Sequence, residues 1–265
     1  MAYFGTHAFA SSTLNVYRGI SAPGYPQLWA ALFASDPTAT GVAGAEVAYD
    51  GYERQPFVPT PPAMRAGNLS IQNADAITWP MSNQAASPAT HIGILDSRMA
   101  GVMLLRGALA VPLQINPLSQ PGVTPGDIVY WGRGDFSMEM RRAYLNRFLN
   151  VAIPGFEPRL AMYNDNPETG GVELTGLNYE RGLITFTAPF VSENGIMTIE
   201  NSSPMLSPTP LGEWGLFAYN AIMRGQTSEI AHFTRRMKNQ DPDPIFIHRN
   251  YVASTAQGAL TVRLN

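Results

Sequence analysis

Leu28-Trp29-Ala30-Ala31-Leu32-Phe33-Ala34-Ser35-Asp36-Pro37 opens a stretch that continues, after a small polar loop, into Glu46-Val47 and Gly51-Tyr52-Glu53-Arg54. A second version runs Leu160-Ala161-Met162-Tyr163-Asn164-Asp165-Asn166-Pro167, then Glu173-Leu174 and Tyr179-Glu180-Arg181. Pro37 matches Pro167, Glu46 matches Glu173, and Tyr52-Glu53-Arg54 matches Tyr179-Glu180-Arg181, at spacings of 130, 127 and 127 residues. Only the loop after the proline changes length. A repeat of this period decides the architecture before any single element is read. The chain reads as two versions of one domain in tandem, residues 1–140 and 141–265.

The match extends outward from these anchors. Ser11 and Ser12 are suited to cap a short helix carrying Leu14 and Tyr17. Their counterparts Leu145 and Phe148 lie in Arg141–Asn150, where Tyr144 and Phe148, and Leu145 and Leu149, form one apolar helical stripe. Arg141, Arg142, Asn146 and Arg147 fall mostly elsewhere on that helix surface. Downstream, Gly67, Ile71 and Asn73 match Gly195, Ile199 and Asn201. Gly93-Ile94-Leu95 matches Gly215-Leu216-Phe217, and a closing strand Phe136–Met140 matches Leu260–Leu264. The second copy departs by an inserted Arg235-Arg236-Met237-Lys238 and a turn Asp241-Pro242-Asp243-Pro244. Short apolar runs with turn residues between them predict antiparallel strands. The expected fold is mainly β, two tandem antiparallel β-sandwich domains, each preceded by a short helix.

Composition narrows the function. Charged residues make up 14% of the 265 residues, against roughly 25% in ordinary soluble domains. A surface of that kind suits a protein packed in an assembly, and equally a neutral, β-rich secreted domain. The net charge of −3 gives no electrostatic basis for holding nucleic acid. Cysteine is absent, which excludes disulfides and thiolate metal sites. No signal-peptide pattern and no apolar run near the ~20 residues of a membrane span is seen, so neither export nor a membrane partner is expected.

Few residues invite a chemical role. His7, His91, His232 and His248 are scattered singly, with none of the spacings that hold a metal. No nucleophile elbow, P-loop or dinucleotide fingerprint occurs, so no enzyme chemistry and no cofactor is expected. Arg133-Gly134-Asp135 spells an adhesion tripeptide, but a tight turn before a strand needs the same residues. Asp241-Pro242-Asp243-Pro244 lacks the further oxygen ligands and the glycine of a calcium loop and reads as a rigid turn. Arg54 and Arg181 recur at equivalent positions in a charge-poor chain, as do Glu46 and Glu173. The expectation is an internal pair in each copy, Arg54 with Glu46 and Arg181 with Glu173, tying loop to strand.

The order of these motifs resembles a family of small tailed-phage virion proteins. The motifs are Ala31-Leu32-Phe33-Ala34-Ser35-Asp36-Pro37, Gly51-Tyr52-Glu53-Arg54, Leu69-Ser70-Ile71-Gln72-Asn73, Ile77-Thr78-Trp79-Pro80 and Thr90-His91-Ile92-Gly93-Ile94-Leu95-Asp96. Members are labelled tail-fibre or minor structural proteins, and some related modules resemble head decoration proteins. The resemblance implies a non-enzymatic virion protein, assembled in the host cytoplasm, whose partners are major capsid or tail proteins. A capsid cement role leads, stabilising the shell by binding only its assembled state. A tail fibre or baseplate component is the alternative. The low charge, with uncharged stretches such as Pro80–Pro88 and Gln114–Gly126, points to a homo-oligomer or a subunit docked on a larger lattice, and the resemblance implies a trimer. A carbohydrate-binding sandwich is the alternative of another class, with Trp29, Trp79, Trp131 or Trp214 stacking on sugars. Tryptophans exposed on one sheet face would favour it, and buried ones would oppose it.

Overall fold

The structure is a computed structural model and describes residues 3–134, 136–226, 231–236, 245–247 and 254–264. Trp29–Phe33 is the strand around which the first unit forms. It pairs with Ala86–Leu95 on one side, Ala31 opposite Gly93, and with Gln55–Pro56 on the other. Ala86–Leu95 in turn pairs with Met103–Ile115, whose far edge takes Phe4–Gly5 and completes a five-stranded antiparallel sheet. The unbroken apolar run of Trp29–Phe33 reflects its place inside the sheet, between Ala86–Leu95 and the short edge strand Gln55–Pro56, since Ala30 to Phe33 are all buried. A smaller sheet joins Val129–Trp131, Asn68–Gln72 and Ala63–Arg65.

The second unit repeats both sheets. Pro158–Tyr163 lies between Gly182–Leu183 and Tyr219–Arg224, and the latter pairs with Ala231–Arg236. Phe190–Val191, Met197–Glu200 and Thr261–Leu264 form the smaller sheet. The repetition reaches single hydrogen bonds. The Asn73 amide donates to the Asp75 and Thr124 carbonyls and accepts from the Ile128 N–H. The Asn201 amide does the same with Ser203, Ala256 and Leu260. Both asparagines are fully buried, and each satisfies turn backbone that water cannot reach.

The two units meet face to face around an approximate two-fold axis. Ala22 N–H donates to Ile153 C=O at 2.8 Å, and Ile153 N–H returns the bond to Ala22 C=O at 2.8 Å. Ala22 and Ile153 are themselves equivalent positions, so this reciprocal pair sits on the axis, as in an isologous dimer contact. Tyr25 N–H donates to Arg147 C=O, and its counterpart Phe156 donates to Val16, the counterpart of Arg147. Gly24 lies against the Asn150 backbone and Gly155 against that of Gly19. A side chain at Gly24 or Gly155 would collide with that backbone, at 2.4 and 2.1 Å respectively.

Helices α1 (His7–Leu14) and α2 (Met138–Asn146) interlock the units. Thr6 caps α1 and Ser137 caps α2, each side chain accepting an N–H of the first turn. Helix α1 packs on Met103–Ile115 of its own unit and on Met197–Glu200 and Thr261–Leu264 of the other. Helix α2 packs on Ala231–Arg236 and on Asn68–Gln72. One hydrophobic core therefore runs through both units, with Phe9, Tyr17, Tyr144 and Phe148 at its centre. Equivalent aromatic pairs cross the seam, Tyr25 with Phe148 at 5.6 Å and Phe156 with Tyr17 at 5.1 Å.

Several expectations from sequence are corrected here. Phe136–Met140 is not a strand, because Ser137 caps α2 and Met138 begins it. The 140/141 division accordingly cuts that helix. The counterpart of Thr261–Leu264 is Val129–Trp131, as pairing of Ile71 with Tyr130 and of Ile199 with Val262 shows. Gly93 corresponds to Ala221, which faces Ala161, and not to Gly215, which pairs with Ile247. Ser11 and Ser12 lie inside α1, where the Ser12 hydroxyl donates back to the Phe9 carbonyl. Arg235 and Arg236 belong to a paired strand, so they are no insertion. Met237, Lys238 and Asp241 to Pro244 lie outside the described residues.

Candidate functional site

Each unit carries one arginine clamp. Arg54 donates through Nε to Glu46 Oε1 at 2.9 Å and through Nη2 to Oε2 at 2.8 Å. Its Nη1 donates to the carbonyls of Ser97 and Ala100, at the tip of the hairpin between Ala86–Leu95 and Met103–Ile115. Arg181 repeats the fork on Glu173, at 2.9 and 2.7 Å, and donates to the Gly225 carbonyl at the matching tip. The middle tyrosine of the motif completes the arrangement. Tyr52 OH donates to Glu46 and accepts from Leu32 N–H, and Tyr179 OH does likewise with Glu173 and Met162.

The electrostatics follow from this geometry. The hydrogen bonds to glutamate hold both guanidinium groups above the ordinary arginine pKa, outweighing burial. Burial first, and the adjacent glutamate charge next, push the Tyr52 and Tyr179 phenols far above the tyrosine range. Every polar atom of the clamp is matched, and the acid is fully engaged. Such a bidentate pair fixes backbone segments to one another and leaves no free acid or base for chemistry.

The seam holds a third arginine, which the helical pattern left on the surface. Arg147 follows α2 and is 1% exposed. It donates to the Pro23 carbonyl, to the hydroxyls of Thr13 and Ser12, and to Tyr25 OH at 2.6 Å. Its guanidinium also lies over the rings of Tyr25 and Phe9, at 4.8 and 5.3 Å. These partners are neutral, and burial lowers its pKa from the ordinary value. The sequence signal for it was slight: a cation beside the apolar stripe of a short helix.

The remaining candidates are not brought together. Trp79 and Trp214 are buried, with Trp214 Nε1 donating to the Leu177 carbonyl. Trp29 and Trp131 are partly exposed but lie in different sheets, so the four make no shared sugar-binding face. His7 Nε2 lies 3.2 Å from the Gly195 carbonyl, and His91 Nδ1 lies 2.8 Å from Thr90 Oγ1. The His232 side chain and His248 fall outside the described residues. Among the described residues no group of three or more His, Cys, Asp or Glu side chains is placed to hold a metal ion, and no helix is long and apolar enough to cross a membrane. Asp135 lies outside the described residues. Gly134 beside it has φ +103, and its carbonyl accepts from Arg141, as a turn requires.

Residues 6–130 match the family described as Gp80, podophage GP4 fiber I protein gp80. No curated protein matches the chain. The matched span covers the first unit from α1 to the strand Val129–Trp131. It is a tailed-phage structural domain of the fibre type, and the chain is a structural protein of the assembled virion.

Proposed function

We propose that the chain is a non-enzymatic, tail-associated structural subunit of a tailed-phage virion, of the fibre type, and not a capsid cement protein. The fibre description of the family matched by residues 6–130 carries this reading over the shell. The geometry supports it. The clamps at Arg54 and Arg181 pin both hairpin tips, and the interlocked helices stiffen the seam, as a load-transmitting part requires. The duplicated unit also presents each surface twice, which suits attachment to a partner in a repeating assembly. We place the division between units just before Ser137, and we propose that the chain acts as a homo-oligomer, most simply a trimer, contacting other tail proteins.

The test is nanogold labelling of a short tag on the chain in intact virions. Label at the tail or its appendages is the expected result. Label spread over the capsid lattice would restore the decoration role and overturn this reading.

A further inference from the structure

Gln55–Pro56 in the first unit and Gly182–Leu183 in the second are outer strands at equivalent places of the two larger sheets. Pro56 lies opposite Trp29 and Leu183 opposite Arg159, so Pro56 and Leu183 correspond. Phe57 N–H donates to the Leu28 carbonyl, and Ile184 N–H donates to the Pro158 carbonyl in the same way. Bonds alternate along an antiparallel ladder, so the residue before each of these turns its backbone polar groups out of the sheet edge. Pro56 has no N–H to present there, and a proline at such an edge blocks a further strand. Leu183 presents both its N–H and its C=O.

This opening is narrow. On one side the Arg181 carbonyl accepts from Gln226 Nε2, and on the other the Thr185 carbonyl accepts from Ser202 N–H. Between them Leu183 is 50% exposed, and a methyl group at Gly182 would meet nothing within 4 Å. Beside the opening a groove of about 570 Å³ runs along the seam, with Tyr17, Phe156 and Phe186 in its lining. Arg18 enters it from the other unit and bonds Asn15 Oδ1; among the described residues no carboxylate pairs with it. Glu157 also lines the groove and is bound to Arg159. The corresponding groove of the first unit is smaller, about 330 Å³, and has Pro26, Pro56 and Pro59 in its lining.

We propose that Leu183 and the groove beside it take an extended peptide segment of a partner protein as an added strand. The segment exchanges one pair of backbone hydrogen bonds with Leu183. Its alternate side chains point to opposite faces, which puts one of them into the aromatic groove. The volume suits one or two large apolar side chains. Two backbone bonds alone hold a peptide weakly, so the apolar anchor supplies most of the affinity. The unpaired Arg18 calls for an aspartate or glutamate near that anchor. Glu157 repels an acid at its own end, and the two charges together fix the direction of the segment. The site belongs to the chain's own sheet edge and does not depend on a tail location.

The experiment is affinity selection of a randomised library of acetylated, amidated octapeptides on the full chain, with the recovered peptides measured by fluorescence polarisation. Enrichment of one large apolar residue with an Asp or Glu at a fixed distance from it is expected. Methylating the peptide backbone one amide at a time should weaken binding about tenfold at the amide that meets the Leu183 carbonyl, the worth of one such bond. Leu183→Pro reproduces the arrangement at Pro56 and removes the outward N–H, so it should weaken binding by at least as much. Arg18→Ala should abolish the preference for the acid and keep that for the apolar anchor. No enrichment, binding that survives methylation at every amide, or a preference for Lys or Arg in place of the acid would each overturn the proposal. The methylation series decides even if Leu183→Pro fails to fold, because it leaves the chain unaltered.

Discussion

Replacing Arg181 by alanine should destabilise the protein by about 3 kcal/mol. The guanidinium makes two bonds to Glu173 and one to the Gly225 carbonyl, and its side chain is only 9% exposed. Hydrogen bonds involving a charged group are worth roughly 1.5–3 kcal/mol each, before the penalty of stranding a partner. Glu173 is 21% exposed, so water would partly rehydrate it, which discounts the sum. The result falls at the low end of the ~3–5 kcal/mol for breaking a buried pair. In thermal unfolding followed by circular dichroism this corresponds to a midpoint lowered by about 6–12 °C at this chain size. The cycle with Glu173→Ala should give a coupling energy of about 1–3 kcal/mol. Arg159→Ala is the control, because its partner Glu157 is 57% exposed, and it should cost less than ~1 kcal/mol. An Arg181→Ala midpoint equal to that control, or no coupling with Glu173, would refute the clamp.

Other outcomes follow from the same structure. Gly24→Ala and Gly155→Ala should each cost at least ~1–3 kcal/mol in urea unfolding, since the new methyl meets backbone that cannot rotate away. Asn73→Ala and Asn201→Ala should lower stability by similar amounts, roughly 2–3 kcal/mol, because each removes the same three bonds from a buried turn. Arg147→Ala should cost roughly 3 kcal/mol and Arg147→Met less, because methionine refills the volume without stranding a charge, as melting curves would show. Multi-angle light scattering should give a mass that is a multiple of the 28.8 kDa chain, and three-fold for a trimer.

Much of this fold was legible because the repeat could be checked against itself. Glu46 and Arg54 drew notice by recurring as Glu173 and Arg181 in a chain with few charges, and the structure sets each pair within hydrogen-bonding distance. Asn73 and Asn201 were matched for the same reason. The errors arose where short apolar triplets resemble one another. Gly215-Leu216-Phe217 looks like Gly93-Ile94-Leu95, but strand register is set by backbone pairing, which puts Ala221 opposite Ala161. Local spacing does not distinguish a capping serine from a strand residue, so the sequence around Ser137 resembles a strand although Ser137 caps α2.

The seam was not legible at all. Arg147 is buried by Ser12, Thr13, Pro23 and Tyr25, which lie in the other unit. Its own neighbours in sequence carry no trace of them. The groove beside Leu183 likewise joins residues 17–19 of one unit with 155–158 and 183–186 of the other, which only the two-fold packing brings together.

The proposed role of this interlocked, two-unit chain is that of a tail-associated fibre-type subunit. Cryo-electron microscopy of the intact virion tests it most directly. Density for both units, related by the two-fold pairing of Ala22 with Ile153, is expected in the tail or its appendages. Density for the chain at the junctions of the capsid shell, with no copy on the tail, would contradict it.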